Sequence, residues 1–282
     1  MHIIVEMFGK FLLRIISFPV FSIIWYHISR IKKPRWLAEV MISIFKSFYK
    51  VDMGRFKGDV SDYSSLNDFF TRSLSKEKYP DNSCDDKIFF SPADGYLTGV
   101  EHVLSDKVKQ IKGHSYRLSE LLNRQIDFSS GWYVLTIYLS PSDYHRFHVP
   151  VNCSAEELCR TGGWLYPVNK FSVSNVNNLF VKNERVVISM NTFGKTFFFT
   201  AVGAALVGTV DINIAPEKTV SPGNWSSAPF ELKRMDELGK FEMGSTIIIV
   251  LPETVVEELY VSEGSAISTG TAVLKLKGNK DV

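Results

Sequence analysis

Cysteine is scarce in this sequence of 282 residues. The three cysteines, Cys84, Cys153 and Cys159, form no Cys-x-x-Cys pair, and no histidine cluster with the spacing of a metal site accompanies them. The pattern argues against a zinc site and indicates buried or idle free thiols, as in proteins of a reducing compartment. We therefore expect no bound metal.

A hydrophobic run long enough to cross a bilayer as a helix is also missing near the N-terminus. The uncharged segment of residues 15–29 has fifteen residues, whereas a spanning helix needs about 20, and Pro19 interrupts it. No small-residue cleavage site lies close to this segment. We therefore expect it to remain in the mature protein and not to be removed as a signal peptide.

The overall charge of +2 conceals an uneven distribution along the chain. Residues 1–50 contain eight lysines and arginines but two glutamates, a net charge of +6, so the remaining residues carry about −4. A basic segment joined to a mildly acidic body indicates an anionic partner near the N-terminus. Nucleic acid and an anionic lipid surface both have that charge.

Large apolar residues beside the basic run favour the lipid surface. Trp25 and Trp36 flank the basic residues 30–35, a composition that suits one or two helices lying in the lipid interface. We expect a peripheral protein on the cytoplasmic side of the cell membrane, with an anionic membrane surface and no nucleic acid as its partner. The alternative is a buried helix packed on the body, with its basic residues solvated.

Hydrophobic periodicity divides the chain into a helical quarter and a β-rich remainder. Residues 36–50 have apolar residues at helical spacing, and residues 64–72 have the pattern of a short capped helix. From about residue 87 the sequence changes to short β-branched and aromatic runs separated by turn formers. We predict an α+β fold, with a helical, membrane-associated region over residues 1–86 and a mainly antiparallel β sandwich or barrel-like core over residues 87–282. The clearest predicted strands are residues 132–139, 185–190, 196–214, 245–252 and 272–278.

The C-terminal residues 261–278 have the pattern of two strands around a turn, like the hairpins of lipoyl and biotinyl carrier domains. The turn offers Ile267, Ser268 and Thr269 where a carrier would present its modified lysine. A swinging-arm function is therefore disfavoured.

Three short stretches combine reactive groups with turn formers. Asp94 lies in the turn Ser-Pro-Ala-Asp-Gly, where hydrogen bonding to its own backbone is the simpler interpretation. His145 and His148 follow a strongly apolar strand, without a HExxH motif or a third metal ligand. If the segment is helical or turned, both rings share a face and suit separate acid and base roles. Ser245 follows Gly244 directly before a buried strand, which it could simply begin.

Together the three stretches supply an aspartate, a histidine and a serine, the groups that a nucleophilic hydroxyl, its base and an orienting carboxylate require. The order Asp, His, Ser is one of several chain orders in which this arrangement occurs. The serine lacks a G-x-S-x-G elbow, which disfavours an ordinary serine hydrolase.

The sequence resembles the bacterial phosphatidylserine decarboxylase proenzymes over nearly its whole length. The most specific motifs are Pro-Ala-Asp-Gly, Asp-Tyr-His-Arg and Gly-Ser-Thr, at residues 92–95, 143–146 and 244–246. The remaining segments that carry the resemblance are residues 49–53, 69–70, 112–114, 138–141, 148, 179–180, 183–186 and 202–204. Most members of that family have leucine before Gly-Ser-Thr, whereas this chain has Met243. The change conserves volume, so we expect self-cleavage to remain intact.

The resemblance implies a precursor that cuts itself. Asp94 would orient and electrostatically support His148, and His148 would deprotonate Ser245. The Ser245 hydroxyl would attack the carbonyl of Gly244 and exchange the amide for an ester. Elimination would then release a carboxylate on Gly244 and leave a dehydroalanine, which hydrolyses to a pyruvoyl group.

The implied products are a β chain of residues 1–244 and an α chain of residues 245–282, held as a heterodimer by strand pairing. Whether that unit dimerises further stays open. The implied cofactor is the covalent pyruvoyl group from Ser245, which forms a Schiff base with phosphatidylserine and accepts electrons as carbon dioxide leaves, giving phosphatidylethanolamine. His145 is the expected acid or base of decarboxylation, and His114 is a further candidate without an assigned role.

Two other functions remain as alternatives. One is a serine hydrolase that uses the same three residues without self-cleavage. The other is a non-catalytic membrane-bound scaffold or carrier-like β module. Both would leave the chain uncut.

Overall fold

The structure is a computed structural model that describes residues 17, 19–75, 85–110, 114–205, 210–214, 222–242 and 245–278. Three residues considered above, Cys84, Met243 and Gly244, lie outside the described residues. Cys153 and Cys159 are buried free thiols, as predicted.

Short and medium helices occupy mainly the N-terminal part. The helices are α1 (Pro19–Ser29), α2 (Arg35–Tyr49), α3 (Leu66–Phe70), α4 (Leu118–Leu122), α5 (Lys170–Val173) and α6 (Leu179–Lys182), with 3-10 turns at Val60–Asp62 and Glu253–Val255. Helix α2 buries Ala38, Ile42 and Phe45, which the helical repeat places on one face. It ends at Lys50, whose left-handed φ of 53° stops the helical hydrogen bonding. Ser65 caps α3 by accepting a hydrogen bond from the Asp68 backbone N–H.

Strands make up the rest of the molecule. They are β1 (Ile88–Phe90), β2 (Gly95–Val103), β3 (Lys107–Lys109), β4 (Ser115–Arg117), β5 (Trp132–Leu139), β6 (Arg146–His148), β7 (Cys153–Thr161), β8 (Arg185–Thr192), β9 (Lys195–Gly203), β10 (Val210–Ile212), β11 (Trp225–Leu232), β12 (Glu237–Phe241), β13 (Ser245–Pro252), β14 (Val256–Leu259), β15 (Ala266–Ile267) and β16 (Ala272–Leu276).

One large sheet organises the fold, with the strand order β11-β7-β8-β9-β13-β5-β2-β15. Two small sheets have the orders β1-β16-β14 and β10-β12-β6, and β3 pairs with β4. The ladders between these strands are antiparallel. Since β11 and β15 stand at opposite ends of the order, the large sheet is open.

Strand β13 lies inside the large sheet and is buried along its whole length. It pairs with β9 on one side and β5 on the other. Alternate side chains enter two hydrophobic clusters: Ile247 packs in one with Leu274 of a small sheet, and Ile248 packs in the other with Phe69 of α3. The large sheet is therefore a middle layer between the small sheets and the helices.

The mainly antiparallel architecture is confirmed. The predicted strands at residues 132–139 and 245–252 have the same bounds in the structure, and the run 196–214 contains two strands, β9 and β10. The histidine segment differs from the helical or turned alternative, because the chain is extended from Arg146 to His148 in β6. In the part of the chain that the structure describes, no helix has the length and apolar character needed to cross a membrane.

Candidate active site

Ser245 is the first residue of β13 and is fully buried. It lies opposite Gly203 of β9 and Leu139 of β5. Its Oγ has no hydrogen-bond partner among the described residues. A buried hydroxyl without a partner is uncommon, since desolvation costs about 1–3 kcal/mol unless a hydrogen bond offsets it. The oxygen is therefore available for chemistry in a site closed to bulk water.

The chain just before residues 243–244 is held from two directions. The Phe241 backbone N–H donates to the His145 carbonyl oxygen at 2.8 Å. Glu242 forms an ion pair with Arg30, with Oε1 and the guanidinium nitrogen 2.5 Å apart. The segment leading to the expected scissile bond is thus fixed to both the histidine loop and the residue that follows α1.

His148 lies in β6 with both ring nitrogens hydrogen-bonded. Its Nδ1 is 2.9 Å from the Met235 carbonyl oxygen, and its Nε2 is 3.0 Å from the Tyr144 hydroxyl. A carbonyl only accepts, so Nδ1 carries the hydrogen and Nε2 of the neutral ring accepts from Tyr144. Burial lowers the pKa of His148, so the neutral form that can act as a base is favoured.

Asp94 is brought to the same neighbourhood, since the His148 backbone N–H donates to the Pro92 carbonyl oxygen at 2.8 Å. The Asp94 carboxylate accepts from the Arg55 guanidinium at 2.7 Å, and from the Thr269 backbone N–H and hydroxyl at 2.7 and 2.9 Å. Its charge also raises the pKa of His148, against the larger effect of burial. The turn-residue interpretation of Asp94 is therefore too simple, because its partners come from residues far along the chain.

His145 is completely buried, with its ring centroid 3.9 Å from that of Phe70. Its Nδ1 lies 2.9 Å from the Asp143 carbonyl oxygen, and its Nε2 has no hydrogen-bond partner within the described part of the chain. Burial, aided by the charge of Arg72, lowers the pKa of His145 to about 3. The ring is therefore neutral at pH 7, with an unused lone pair on Nε2.

Arg72 supports the loop that carries these histidines. Its guanidinium donates to the carbonyl oxygens of Ser142 and Asp143, at 2.6 and 3.1 Å. Burial lowers the pKa of Arg72 to about 10, which still leaves it charged at neutral pH. His114 directly precedes β4, and its carbonyl oxygen accepts a hydrogen bond from the Gln110 backbone N–H.

Comparison with known proteins bears on what this arrangement is. The family described as phosphatidylserine decarboxylase matches residues 66–275, which include Asp94, His145, His148 and Ser245. The chain is 38% identical over 232 residues to the phosphatidylserine decarboxylase proenzyme of Hamiltonella defensa, covering 77% of this chain and 80% of that protein. The proenzymes of Salmonella arizonae and Salmonella newport are each 37% identical over 232 residues, covering 77% of this chain and 71% of theirs.

The chain belongs to the phosphatidylserine decarboxylase family. The resemblance seen in the sequence motifs is thereby confirmed. Membership places the protein among the decarboxylases of phospholipid biosynthesis, and the relatives carry the name of a proenzyme.

Four residues in the neighbourhood of this decarboxylase site were missed by sequence reasoning: Arg55, Arg72, Tyr144 and Thr269. Tyr144 lies within the Asp-Tyr-His-Arg motif, and that position next to His145 was the available signal. Arg55 and Thr269 lie 39 and 175 residues from Asp94, so no local spacing relates them to it. Arg72 contacts the histidine loop at Ser142, which lies 70 residues away in the sequence.

Proposed function

We propose that this chain is the precursor of a pyruvoyl-dependent phosphatidylserine decarboxylase, which converts phosphatidylserine to phosphatidylethanolamine and carbon dioxide. We further propose that it forms the pyruvoyl group by cutting its own Gly244–Ser245 bond. The single observation that carries the proposal is the buried Ser245 Oγ at the first residue of the central strand, which has no hydrogen-bond partner among the residues that the structure describes. A serine that merely began a strand would gain from a hydrogen bond there.

His148 is the proposed base for self-cleavage. The Met235 carbonyl fixes the neutral tautomer that carries its lone pair on Nε2. The Tyr144 hydroxyl donates to that lone pair in the structure. His148 therefore accepts the Ser245 proton only when this hydrogen bond breaks, or through Tyr144 as a proton relay. Asp94 favours the protonated ring that results, because its charge raises the pKa of His148.

The cleavage step balances without an added reactant. The Ser245 oxygen attacks the Gly244 carbonyl carbon, the amide C–N bond breaks, and the nitrogen of residue 245 takes the proton that the base removed. A base then removes the Cα proton of residue 245 as its Cβ–O bond breaks, which releases the Gly244 carboxylate and leaves a dehydroalanine. Its imine tautomer adds one water and releases ammonia, leaving a ketone. The buried position and partnerless oxygen of Ser245 fit a residue that becomes a pyruvoyl group. That group supplies the electron sink for decarboxylation.

His145 is the proposed residue for proton transfer during turnover. The unused Nε2 lone pair and the low pKa make it an acceptor in its resting state. It must therefore take a proton before it can return one to the substrate carbon that loses the carboxylate. Phe70 and Arg72 hold its position and exclude water from the ring.

A peripheral position on the cytoplasmic face of the cell membrane suits a diacyl lipid substrate. Helices α1 and α2 expose large apolar side chains, of which Ile23, Trp36, Ile44 and Phe48 are 56–76% accessible. Lys32 and Lys33 lie between the two helices, and Arg35 begins α2. Apolar side chains next to cations are the composition of segments that bind anionic lipid interfaces.

Intact-protein mass of the wild type and of Ser245→Ala tests the proposed function. The wild type should give two fragments, residues 1–244 and 245–282, with a blocked pyruvoyl N-terminus on the smaller. Ser245→Ala should remain one chain of 32.0 kDa and release no carbon dioxide from phosphatidylserine. Ser189→Ala, at another buried serine of the same sheet, is the control and should mature normally.

The same measurement separates the alternatives. A serine hydrolase or a non-catalytic scaffold would show a single uncut wild-type chain. Efficient cleavage of the Ser245→Ala variant would show that the nucleophile is another residue.

A further inference from the structure

A cavity of about 680 Å³ lies beside residue 245, on the opposite face of β13 from the Ser245 side chain. Thr246 lines it, and the alternation of a strand places Thr246 on the same face as Ile248, toward the helices. Its volume is within the range of roughly 300–1,000 Å³ usual for small-molecule sites. The cavity therefore has room for a ligand next to the reacting residue.

The wall formed by α5 and α6 is fixed by one buried side chain. The Gln110 amide nitrogen donates to the carbonyl oxygens of Val173 and Val176 at 2.6 and 2.7 Å, and its carbonyl oxygen accepts from the Leu179 N–H at 3.3 Å. Each polar atom of Gln110 is engaged in this way. The wall is thus preformed, which lowers the entropic cost of binding.

Two lysines are the cations among the described residues that line the cavity. Lys109 ends β3 and Lys170 begins α5, and both are exposed. Neither ammonium group forms an ion pair within the described part of the protein. The carboxylates of Glu101 and Glu263 line the same cavity, and Glu101 accepts from the Lys109 backbone N–H at 3.2 Å. Burial raises the pKa of Glu101, and the charge of Lys109 opposes that rise. The lining thus offers two ammonium groups to an anionic group and two carboxylates to a cationic one.

The inner wall contains two buried hydroxyl groups. The Thr246 hydroxyl makes no hydrogen bond with the described residues. The Tyr116 hydroxyl interacts with that of Thr136, and burial and the charge of Glu101 raise the pKa of Tyr116, so the phenol stays protonated as a donor. An unused buried hydroxyl that lines a cavity indicates a polar ligand.

We propose that this cavity binds the phosphoserine headgroup of the lipid substrate, with Lys109 and Lys170 holding its phosphodiester. The proposal rests on the proposed function for the identity of the lipid. Ammonium groups bind phosphate through short charge-assisted hydrogen bonds, while the hydroxyl-bearing inner wall offers donors to the headgroup carboxylate. Thr246 lines the cavity and is the neighbour of residue 245 on β13, so the bound headgroup lies one residue along the strand from the reacting position.

Calorimetric binding of unreactive short-chain lipids tests the lysine pair on the full-length protein. Dihexanoylphosphatidylglycerol keeps the phosphodiester but has no amine, and dihexanoylglycerol lacks the phosphate. The Lys109→Gln/Lys170→Gln variant should bind the phospholipid at least about tenfold more weakly, since a charged hydrogen bond is lost at each site. Its binding of dihexanoylglycerol should not change.

Lys107→Gln is the matched control, because Lys107 is an exposed lysine of the same strand that does not line the cavity. It should bind both lipids like the wild type. Unchanged phospholipid binding by the double variant would overturn the proposal, as would an equal loss in Lys107→Gln. Melting temperatures of the variants show that folding is retained, and Lys109→Arg/Lys170→Arg should restore binding if charge at these sites is what matters.

Competition with O-phospho-L-serine distinguishes a lipid from a free phosphorylated amino acid. Displacement of the short-chain phospholipid by O-phospho-L-serine, at concentrations of the competitor above that of the phospholipid, supports recognition of the headgroup. Tighter binding of the free compound than of phosphatidylserine would overturn assignment of the site to the lipid.

Turnover provides the second, separable result. In neutral detergent micelles the double variant should decarboxylate phosphatidylserine with kcat/KM reduced about tenfold, mainly through KM. If the wild type released no carbon dioxide while lysine-dependent binding persisted, the proposed reaction would fail and the binding site would stand. Normal turnover by the double variant, together with phospholipid binding that does not depend on the two lysines, would support the proposed reaction and overturn the proposed headgroup site.

Discussion

The two histidines of the site have the same tautomer for the same reason. Each has Nδ1 directed at a backbone carbonyl, Met235 for His148 and Asp143 for His145, so each presents a lone pair at Nε2. They differ in what faces that lone pair: Tyr144 donates to His148, while His145 has no partner among the residues described. Burial is the largest influence on the pKa of both rings, and at His148 the Met235 hydrogen bond and the charges of Glu237 and Asp94 oppose it.

The Asp94 charge should contribute to the pH dependence of self-cleavage, beside burial, the Met235 hydrogen bond and the charges of Glu237 and Arg146. A base acts only when deprotonated, so cleavage slows as pH falls through the pKa of His148, which burial places below its ordinary value of 6.5. Asp94→Asn removes a charge that raises this pKa, so the acid limb should move to lower pH. Arg55→Gln leaves that charge less compensated, so the limb should move to higher pH.

Cleavage rates of freshly synthesised precursor between about pH 4 and pH 8 would measure both shifts, over the range in which histidines titrate. Asp211→Asn, at an exposed aspartate of β10, is the control and should leave the profile in place. Shifts of the same sign in Asp94→Asn and Arg55→Gln would contradict an electrostatic role for Asp94.

Sequence motifs indicated the reactive residues but not their partners. The Asp94, His148 and Ser245 assignments came from short motifs and family resemblance, and the structure places Asp94 and His148 in one neighbourhood. The partners Arg55 and Tyr144 depend on side-chain directions and on chain segments that meet only in three dimensions. No periodicity in the sequence contains that information.

At the scale of elements, α2 has two apolar faces of different kinds. Ala38, Ile42 and Phe45 pack against the body, as in any amphipathic helix. A second face, about a quarter turn around the helix, exposes Ile44 and Phe48, with 63% and 76% of their surface accessible. Since polar side chains normally cover that side, the exposed apolar residues favour contact with lipid.

Removing that outer face should weaken membrane binding without unfolding the protein. Ile44→Ser/Phe48→Ser should reduce binding to vesicles that contain anionic lipid by about tenfold or more, because each large apolar side chain contributes roughly 1.5–3 kcal/mol when fully buried. Vesicle cosedimentation measures this. Phe230→Ser, at an exposed phenylalanine of β11, is the control, and equal loss in both variants would rule out a specific role for α2.

The strands that the sequence predicted best are the central ones. Strands β5 and β13 are continuous β-branched and aromatic runs, because both of their faces are buried. Strand β11 was not predicted, since it contains Pro229 and stands at the sheet edge, where proline is tolerated. Helices α5 and α6 have four residues each, too few for a helical repeat to show.

At the scale of the whole molecule, the proposed cut falls at the start of a buried strand that is paired on both sides. Strand β13 pairs along Ser245–Pro252 with β5 and along most of its length with β9, and side chains pack on both of its faces. The same α-chain segment also pairs β15 with β2 and β16 with β1, while β14 pairs with β16 of the segment itself. Cleavage would remove one covalent link and leave these contacts in place.

The α chain should therefore stay bound after cleavage. On size exclusion in native buffer the two fragments should elute together, and they should separate only in denaturant. The unfolding midpoint of the cut protein should rise with protein concentration, while that of uncut Ser245→Ala should not. Elution of the small fragment alone from the native column would contradict retention by strand pairing.

Because β13 is a central strand, the structure also depends on the chain having folded before it is cleaved. A strand between two others must be inserted while its neighbours are assembling, and before cleavage a short connection delivers residue 245 to that place at high effective concentration. After cleavage this delivery no longer exists, and a separated α chain would have to find the gap between β9 and β5 from solution. The mature protein would then keep a strand arrangement that only the uncut precursor can reach by folding.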